Sequence, residues 1–465
     1  MGSRLRHRRL RRALPGALLC ALLALTLGLG AAPAASAAAE PGVVLADMGA
    51  PHIHDLKALG THWVRLFATW RDLEPSPGYY APSWLEAYEK LFRELPRGTK
   101  VIVDVVGTPQ WETGSSDEHT PPANPEDYAA FVAGLAQRWG RRVAAYELWN
   151  EEDDSGWWTG APDPVAYAAL LRAAYPAIKA AEPRATVLVG GLTGNDYTYL
   201  EGLYRAGAKG YFDAVAVHTD TACNIVSPYS FLKGTNERMI PDSFLAFREV
   251  HDVMLANGDD KPIWMTELSW RTTSAECGEG YWAGRKAEGV TDTQQATYLR
   301  QAYHCLAQAP YVQVAIWFQL QDEGPVASGL LHENGTPKPA FAALAEYARH
   351  GDRLTQPCGD FSGPSIDISA PANHTSYSGT LPISVSAHDH EGVGRITLEI
   401  DGKLIRNYTN QGFPATLAGA LHWHGAARIR PGRNVLTFIA VDKLRNISRR
   451  SLVIYHLVGG HSRHR

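Results

Sequence analysis

Short apolar runs alternate with amphipathic segments eight times in the first three quarters of the chain. The runs are rich in Val, Ile, Leu and aromatic residues with little polar alternation, which is typical of strands buried on both faces. Eight strand–helix units over residues 40–350 predict a (β/α)8 TIM barrel. The predicted strands are Val43–Met48, Trp63–Phe67, Val101–Val106, Ala144–Trp149, Thr186–Gly190, Ala214–His218, Pro262–Glu267 and Val312–Phe318.

The amphipathic segments between these strands predict helices. Two of them open with Asn124-Pro125 and Asp163-Pro164, in which a capping side chain precedes a first-turn proline. A doubly wound open sheet is the alternative architecture, but no Gly-x-Gly-x-x-Gly motif follows the first strand. The clearest predicted helices are Trp84–Leu95, Pro125–Trp139, Pro164–Ala181, Thr293–Ala309 and Pro339–His350.

The pattern of apolar and polar residues changes after the predicted barrel. A linker rich in Gly, Pro, Asp and Ser (residues 351–362) precedes short alternating runs over residues 363–457, and a basic tail follows at 458–465. Asp401-Gly402 between two runs is a hairpin signal. Seven short strands predict an immunoglobulin-like β-sandwich. They are Ser365–Ser369, Pro382–Ala387, Arg395–Ile400, Lys403–Tyr408, Ala418–Trp423, Asn434–Val441 and Leu452–Tyr455.

Residues 1–39 have the order of a secretory signal peptide. Six arginines lie between positions 4 and 12, an apolar run spans Ala13–Gly30, and small residues continue to Ala39. This order predicts cleavage near Ala37 or Ala39 and a secreted, extracellular or cell-surface protein. An uncleaved membrane anchor is the alternative, but the apolar run is short for a spanning helix. The pattern does not distinguish Sec from twin-arginine export.

The net charge of the chain limits the classes of partner that it is expected to bind. Removing the signal takes away six arginines and no acidic residue, so the formal net charge falls from −4 to −10. Such an acidic protein is not expected to bind nucleic acid or an anionic lipid surface as its main partner. We expect a monomer that has no membrane attachment once the signal is cleaved.

Four cysteines follow the signal: Cys223, Cys277, Cys305 and Cys358. An even number in an exported chain predicts two disulfide bonds, with three possible pairings. We favour Cys223–Cys277 and Cys305–Cys358, because each pair would join segments that the barrel brings close together. The sequence has no Cys-x-x-Cys motif or Cys/His cluster, so no zinc site is predicted.

Two of the predicted strands end in a glutamate. The fourth runs into Asn150-Glu151, the seventh ends on Glu267, and tryptophans lie near both in the sequence. In a TIM barrel the carboxyl ends of the strands meet at the face where active sites are built. A pair of carboxyl groups at that face is what cleavage of a glycosidic bond requires.

These positions resemble those of clan A glycoside hydrolases, most closely family 39 and its relatives. The resemblance covers about residues 42–350 and depends on Arg65 in strand two, Asn150-Glu151 after strand four, Glu267 in strand seven and Trp317 in strand eight. Gly329–Pro339 is also similar to the segment that follows strand eight in these enzymes. The C-terminal segment resembles the immunoglobulin-like modules appended to many secreted bacterial enzymes.

The resemblance implies a retaining mechanism in which Glu151 is the general acid/base and Glu267 the nucleophile. Glu151 must be protonated to assist the leaving oxygen, and Glu267 must be ionised to attack the anomeric carbon. Arg65 would place a cation beside Glu267, and Asn150 would donate to the 2-hydroxyl of the sugar. Carboxyl groups about 5–5.5 Å apart would give retention of configuration. No metal and no organic cofactor is expected.

Substrate binding is expected from Arg65, Trp111, Asn150, His218 and Trp317, the last as a platform for the sugar ring. Relatives usually carry His-x-Tyr at the end of strand six, but this chain reads His218-Thr219-Asp220. Tyr229, in the following loop, is a possible substitute for that tyrosine.

The acidic run Glu152-Asp153-Asp154 stands where relatives have a proline. It is either a solvated loop or a group that acts on Glu151 or on the sugar.

The leading hypothesis is a secreted retaining glycosidase that acts on an oligo- or polysaccharide. A non-catalytic carbohydrate-binding protein on a decayed barrel is the alternative, although both glutamates are present. An enzyme of phosphorylated metabolites is disfavoured by export and by the lack of a Gly-rich phosphate loop after strands seven or eight. The sequence does not identify the sugar, the linkage, endo or exo action, or the role of the sandwich.

Overall fold

The computed structural model describes residues 39–46, 53–219, 227–231, 233–272, 289–323, 327–390, 392–409, 419–427 and 429–457. Strands alternate with helices in its first part. The strands there are β1 (Glu40–Val44), β2 (Trp63–Thr69), β3 (Lys100–Val106), β4 (Ala145–Leu148), β5 (Thr186–Val189), β6 (Val215–Thr219), β7 (Ile263–Leu268) and β8 (Val312–Trp317). The helices are α1 (Ile53–Leu59), α2 (Trp70–Leu73), α3 (Pro82–Glu94), α4 (Gln110–Thr113), α5 (Pro125–Trp139), α6 (Pro164–Ala181), α7 (Tyr197–Arg205), α8 (Phe247–Ala256), α9 (Asp292–Ala307) and α10 (Pro339–His350).

The eight parallel strands form one sheet in the order β5-β4-β3-β2-β1-β8-β7-β6. Single bridges from Leu188 to Ala214 and from Leu192 to Val217 bring β5 and β6 together, so the sheet nearly closes on itself. Helices cover its outer face, and their apolar sides pack with the outward side chains of the strands in the main core. The predicted TIM barrel is confirmed.

Side chains along each strand alternate between the barrel interior and the core beneath the helices. On β8, Val314 and Ile316 belong to the interior group, and Phe318 just beyond the strand packs against the same group. Ala315 and Trp317 belong to the core beneath the helices. This two-residue period decides which side chains near the strand ends can reach a site at that end of the barrel.

Three helices, α5, α6 and α10, have the bounds predicted from the sequence. α5 and α6 have the predicted bounds, because the side chains of Asn124 and Asp163 accept a backbone N–H of the first turn. β1 begins at Glu40 rather than at Val43, since its pairing with β8 already starts there. The predicted end of this strand, Met48, lies outside the described residues.

The C-terminal strands form two sheets, ordered β10-β16-β15-β12-β13 and β14-β11-β9. Apolar side chains from both sheets share one core, which confirms the predicted sandwich. The sequence did not predict β10, a strand of 3 residues that is too short to show alternation. The strands are β9 (Ser365–Ala370), β10 (Thr375–Tyr377), β11 (Leu381–Asp389), β12 (Val393–Ile400), β13 (Lys403–Thr409), β14 (Gly419–Ala427), β15 (Gly432–Asp442) and β16 (Ile447–His456).

The linker after α10 is fixed to the barrel. Cys305 on α9 and Cys358 form the predicted disulfide, with their Cα atoms 5.3 Å apart. The neighbouring His304 contacts the carboxylate of Asp352 at 2.8 Å and the carbonyl of Gln356 at 2.6 Å. The other predicted disulfide, Cys223–Cys277, lies outside the described residues.

The sandwich contacts both the linker and the barrel. Asn446, in the turn between β15 and β16, donates to the carbonyl of Asp360 at 2.9 Å, and Leu444 packs against the barrel core. In the linker, the ring of Phe361 stacks on Phe231 of the barrel with 4.7 Å between centroids. Within the described part of the chain, no helix is both long enough and apolar enough to cross a membrane.

Replacing Cys305 and Cys358 together by alanine is expected to lower the free energy of unfolding by about 2–4 kcal/mol, because the bond restricts the unfolded chain. The bond closes a loop with a sequence separation of 53. Denaturant unfolding of the variant and of the oxidised wild type measures the difference. The matched control is a variant with alanine at Cys223 and Cys277, in which reduction breaks the Cys305–Cys358 bond and should lower the stability by the same amount. Free thiols at both positions in a non-reducing peptide map would contradict the expectation.

Candidate active site

The guanidinium of Arg65 is the centre of the site. It projects from β2 into the barrel and has no exposed surface. Its Nε donates to Glu147 at 2.6 Å and its Nη1 to Glu267 at 2.5 Å. Its Nη2 donates to Asp104 and to Asn150, both at 2.9 Å. The predicted cation beside Glu267 is present. Because Arg65 is fully buried among protein groups, it is a positioning residue and not the direct sugar contact that was expected.

Asp104 and Glu147 were not predicted to belong to the site. Each lies within an otherwise apolar strand, two residues after Ile102 and Ala145, which face the barrel interior. A charged side chain in a strand that is buried on both faces needs a buried partner. Arg65 on β2 supplies it to both, to Asp104 on the adjoining β3 and to Glu147 on β4, one strand further away. Charges of opposite sign inside adjacent apolar runs were therefore a usable signal for this network.

The pKa values in the network respond to burial and to the unequal number of charges. Burial alone would lower the pKa of Arg65, but the charges of Glu147, Glu267 and Asp104 raise it above its ordinary value. Burial raises the pKa of Asp104 well above its usual range, because the nearby Arg65 offsets only part of the effect. Burial also opposes ionisation of Glu147, but Arg65 and His218 outweigh it and lower the pKa. The network favours an ionised Glu147 and a protonated Asp104.

His218, in β6, lies between the two predicted catalytic glutamates. Its Nδ1 lies 2.9 Å from Glu151 Oε1 and 3.9 Å from Glu267 Oε2. Its Nε2 lies 3.1 Å from the hydroxyl of Thr266, which donates to Glu147 at 2.7 Å. Burial alone would lower the pKa of His218, but the charge of Glu267 and the nearby carboxylates of Glu147 and Glu151 raise it well above its usual value. Because the ring is fully buried, His218 contacts the glutamates instead of the open site, where a sugar contact was expected.

These contacts determine where protons can lie. Because the Thr266 hydroxyl gives its hydrogen to Glu147, it must accept from His218, and Nε2 therefore carries a proton. Nδ1 then shares one proton with Glu151: either the glutamic acid donates to the ring or the imidazolium donates to the carboxylate. Both arrangements satisfy the 2.9 Å contact. Glu151 can change between acid and carboxylate without losing its partner.

A sharp turn after β4 presents Glu151. Trp149 and Glu151 have left-handed backbone conformations, with φ of 77° and 48°, which residues other than glycine adopt uncommonly. The indole N–H of Trp149 holds the turn by donating to the carbonyl of Trp157 at 2.7 Å. Across from the turn, a Cβ on Gly191 would lie 1.8 Å from Nε2 of His218, so glycine is required there. The turn and this missing side chain let the carboxyl group of Glu151 meet the imidazole.

Glu151 and Glu267 face each other beside His218. One oxygen of each carboxylate and one ring nitrogen all lie within 4.8 Å of one another. The Glu151 side chain is 16% exposed and that of Glu267 is 6% exposed, so both can be reached from outside. In the part of the chain that the structure describes, this is the one cluster of three metal-binding side chains. Arg65 already supplies positive charge to Glu267 there, at 2.5 Å.

Trp317, expected to be the sugar platform, points away from the site. It is fully buried beneath the helices, where its indole N–H donates to the carbonyl of Ser328 at 2.9 Å and its ring lies 6.3 Å from Trp270. The next residue, Phe318, is partly exposed and packs against the interior group. A shift of one residue along a strand moves a side chain to the opposite face, which explains the wrong prediction. Phe318 is the aromatic side chain that β8 directs towards the barrel interior.

The structure has different consequences for the roles predicted for two loop aromatics, Trp111 and Tyr229. Trp111 on α4 is partly exposed, with its ring edge-on to Trp70 at 5.6 Å, and its contact with a sugar stays a prediction. Tyr229 is engaged elsewhere: its hydroxyl accepts from Gln356 of the linker at 2.9 Å. Its predicted role as a substitute tyrosine beside Glu267 is therefore not supported.

Glu152 is not part of a solvated loop. It is fully buried, and neither carboxylate oxygen has a hydrogen-bond partner among the residues described. The side chain occupies space left by Gly190, where a Cβ would lie 2.0 Å from Oε2 of Glu152. Burial, and after it the charge of Asp153, raises the pKa of Glu152 well above its usual range. Asp153 accepts the N–H of Thr193 at 2.9 Å, so the acidic run packs the β4 turn against the loop after β5.

A cavity of about 600 Å³ lies at the other end of the barrel. Trp63, Lys100, Arg141 and Trp264 are among the residues that line it. No member of the network around Arg65 contributes to its lining. It opens at the amino ends of the strands, where conserved features of this fold serve stability rather than catalysis.

Two segments of the chain match families of known proteins. Residues 48–219 match the cellulase family, glycosyl hydrolase family 5, and residues 364–425 match the bacterial Ig domain. The first match contains Arg65, Asn150, Glu151 and His218, and it places a glycoside hydrolase domain in the chain. The expected closeness to family 39 is not supported, because the matching family is family 5.

No curated protein matches the chain. Solved structures with a similar course of the chain include the endo-β-1,4-mannanase of Thermotoga petrophila, at 13% identity, 90% coverage of this chain, 98% of that one and a TM-score of 0.46. A family 5, subfamily 18 enzyme from Streptomyces cattleya in complex with GlcNAc has 18% identity, 73% and 84% coverage, and a TM-score of 0.49. The exo-β-1,4-mannosidase Op5Man5 of Opitutaceae bacterium strain TAV5 has 17% identity, with 67% coverage of this chain, 59% coverage of that one and a TM-score of 0.48.

Glu152→Gln is expected to make the protein more stable than the wild type at neutral and alkaline pH, but not near pH 4. The pKa of Glu152 is raised in the folded wild type and is about 4.3 in the unfolded chain. Between these two pKa values only the unfolded chain is ionised, so the wild type loses stability as the pH rises until the folded pKa is passed. Glutamine has the shape of the protonated acid and carries no such cost. Thermal unfolding of both proteins across this range measures the difference.

Asp104 and Asp153 are present in both proteins, so the difference between the two unfolding curves reports Glu152 together with its interaction with Asp153. Asp154→Asn, in the same run but partly exposed, is the matched control. A stability difference that does not change with pH would show that Glu152 is ionised in the folded protein.

Proposed function

We propose that this chain is a secreted retaining glycoside hydrolase that cleaves O-glycosidic bonds of an oligo- or polysaccharide through two glutamates. The observation that carries the proposal is the approach of Glu151 and Glu267 to within 4.8 Å, oxygen to oxygen, at the carboxyl end of the barrel. Retaining enzymes hold their carboxyl groups about 5–5.5 Å apart, whereas inverting enzymes leave about 6.5–9.5 Å for a water molecule. The measured approach supports the retaining arrangement.

In the first step Glu267 attacks the anomeric carbon while Glu151 gives its proton to the leaving oxygen. The bond from the anomeric carbon to that oxygen breaks, and an ester bond to Glu267 forms. Arg65, 2.5 Å from Oε1 of Glu267, keeps the nucleophile ionised and oriented before the attack. The free hydroxyl of the leaving sugar departs with the proton.

In the second step Glu151 accepts a proton from water, and the water oxygen attacks the anomeric carbon and releases Glu267. The proton shared between Glu151 and Nδ1 of His218 suits this cycle: it lies on Glu151 when the first step begins and leaves with the first product, and the proton taken from water in the second step replaces it. Configuration is retained because the anomeric carbon is inverted twice.

Asn150 and Phe318 are proposed to hold the sugar whose bond is cleaved. Arg65 donates to Oδ1 of Asn150, so the amide NH₂ is the part left to donate to the 2-hydroxyl. Phe318 is partly exposed at the end of β8 and offers the ring face that Trp317 cannot. An aromatic ring packs well against the C–H face of a sugar.

Secretion is proposed from the predicted signal peptide at residues 1–39. The match of residues 364–425 to a bacterial Ig domain agrees with it, because such modules are common in extracellular proteins. The contacts of the sandwich with the linker and with the barrel favour a structural or spacing role for it.

Glu151→Gln and Glu267→Gln are each expected to lower kcat by about 10³-fold or more, because each removes a group that bonds the reacting atoms. Azide distinguishes the two roles on an aryl glycoside with a good leaving group. With Glu151→Ala it should restore turnover and give a glycosyl azide of retained configuration, since it attacks the glycosyl-enzyme without a base. With Glu267→Ala one direct displacement should give the inverted product.

The exposed glutamate of α3, Glu86, is the matched control, and Glu86→Gln should keep full activity. Circular dichroism of every variant checks the fold. If the wild type binds polysaccharide but cleaves no glycoside in a broad panel, the alternative of a non-catalytic binding protein is correct. Full activity of either glutamine variant would overturn the assignment of roles.

A further inference from the structure

An aromatic side chain lies just above the central arginine. Phe67 on β2 is two residues after Arg65, so both side chains face the barrel interior. The Arg65 guanidinium carbon is 4.7 Å from the centroid of the Phe67 ring. Phe67 is partly exposed, whereas Arg65 is fully buried. The ring therefore forms part of the wall next to the carboxylates that Arg65 holds.

The loop after Glu151 extends this wall outwards. The ring of Trp157 lies parallel to that of Phe67, with 8° between the planes and 6.3 Å between the centroids. His119, from the loop after β3, has its ring 4.6 Å from that of Trp157. All three side chains are partly exposed. They form an aromatic wall that runs from the catalytic centre towards the rim of the barrel.

The backbone around these rings is well fixed. The carbonyl of Trp157 accepts the Trp149 indole N–H at 2.7 Å, and its N–H donates to the carbonyl of Asp154 at 3.1 Å. The N–H of Thr159 donates to the carbonyl of His119 at 2.9 Å, which ties the β4 loop to the β3 loop. A wall fixed in this way costs little conformational entropy when a ligand binds.

The two loops that carry the wall are acidic. Apart from Glu151 and the buried Glu152, residues 107–124 contain two glutamates and one aspartate, residues 151–163 contain three aspartates, and neither segment has a lysine or arginine. Arg71, outside both loops, lies 3.4 Å from Glu118. Like charges repel, so these loops disfavour a sugar that carries a carboxylate or sulfate. Flat partly exposed rings beside acidic side chains suit a neutral sugar, whose hydroxyls the carboxylates can accept.

We infer that Phe67, Trp157 and His119 form a subsite for a second, uncharged sugar ring next to the one whose bond is cleaved. The inference depends on the proposed function and makes it more specific: the substrate is a neutral glycan chain of at least two sugars rather than a simple glycoside or a uronic-acid polymer. Phe67 lies against the guanidinium that binds Glu267, so the subsite adjoins the nucleophile.

Trp157→Ala tests the subsite, with Trp157→Phe as the variant that keeps a ring. The probes are cellotetraose, mannotetraose and xylotetraose, three neutral tetrasaccharides, and the aryl glycosides of the matching single sugars. On the tetrasaccharide that the wild type cleaves, Trp157→Ala should lower kcat/KM by about tenfold, as the loss of one aromatic contact predicts. Its kcat/KM on the single-sugar glycoside should change less than twofold, and Trp157→Phe should recover most of the loss.

A binding measurement separates the subsite from catalysis. Titration calorimetry with the same tetrasaccharide should give a dissociation constant about tenfold higher for Trp157→Ala in a Glu267→Gln background than for Glu267→Gln alone. Tyr408→Ala, which removes an aromatic ring that is 41% exposed on the sandwich, is the matched control and should change neither readout. Oxidation of C6 of the polymer to a carboxylate should slow cleavage by the wild type strongly.

The outcomes are distinguishable. If the wild type cleaves neither tetrasaccharides nor aryl glycosides, the proposed function fails. If it cleaves them, but Trp157→Ala lowers kcat/KM equally on both or on neither, the subsite is wrong while the proposed function stands. A wild type that prefers the oxidised polymer would overturn the neutral sugar.

Discussion

One buried arginine holds the site together. The guanidinium of Arg65 bonds carboxyl groups from three other strands, and its complete burial means that water can replace none of these bonds. A buried charge that loses its partner costs about 3–5 kcal/mol, so the three carboxyl groups and the arginine depend on each other. The positions of the nucleophile and of Asn150 follow from that dependence, since both are bonded to the same cation. The catalytic geometry is thus a consequence of charge compensation inside the barrel.

The site has more buried carboxyl groups than cations, and this excess favours the protonated form of some of them. Asp104 and Glu152 are the groups that burial drives to the protonated form. Glu147 stays ionised because Arg65 and His218 lie against it. The remaining proton is shared between Glu151 and His218. Asp104 and Glu152 thus favour the protonated form because they are buried, whereas the proton between Glu151 and His218 lies beside the open site. The proton shared by Glu151 and His218 is therefore the one suited to proton transfer.

The sequence predicted the barrel well, since alternating apolar runs and capped helices are local signals. It also predicted that Glu151 and Glu267 lie at the carboxyl ends of strands four and seven, because each glutamate closes an apolar run in the sequence. It failed where one residue of register matters: Trp317 and Phe318 are adjacent, but only Phe318 faces the barrel interior. Glu152 was ambiguous for a different reason. An acidic run normally indicates solvent, and only the fold shows that the space beside Gly190 is filled by its side chain.

The same two-residue period explains how the barrel combines strong charges with a surface for a substrate. On β2 the interior positions are Trp63, Arg65 and Phe67, which gives an apolar layer, a charged layer and a second aromatic layer from the amino end to the carboxyl end. On β8 the interior positions Val314, Ile316 and Phe318 are all apolar. Rings above the charges limit the access of water, and electrostatic interactions are stronger where water is excluded. A ring that shields the arginine also has a face towards the opening, so the layer that protects the charges is the layer that a sugar would meet first.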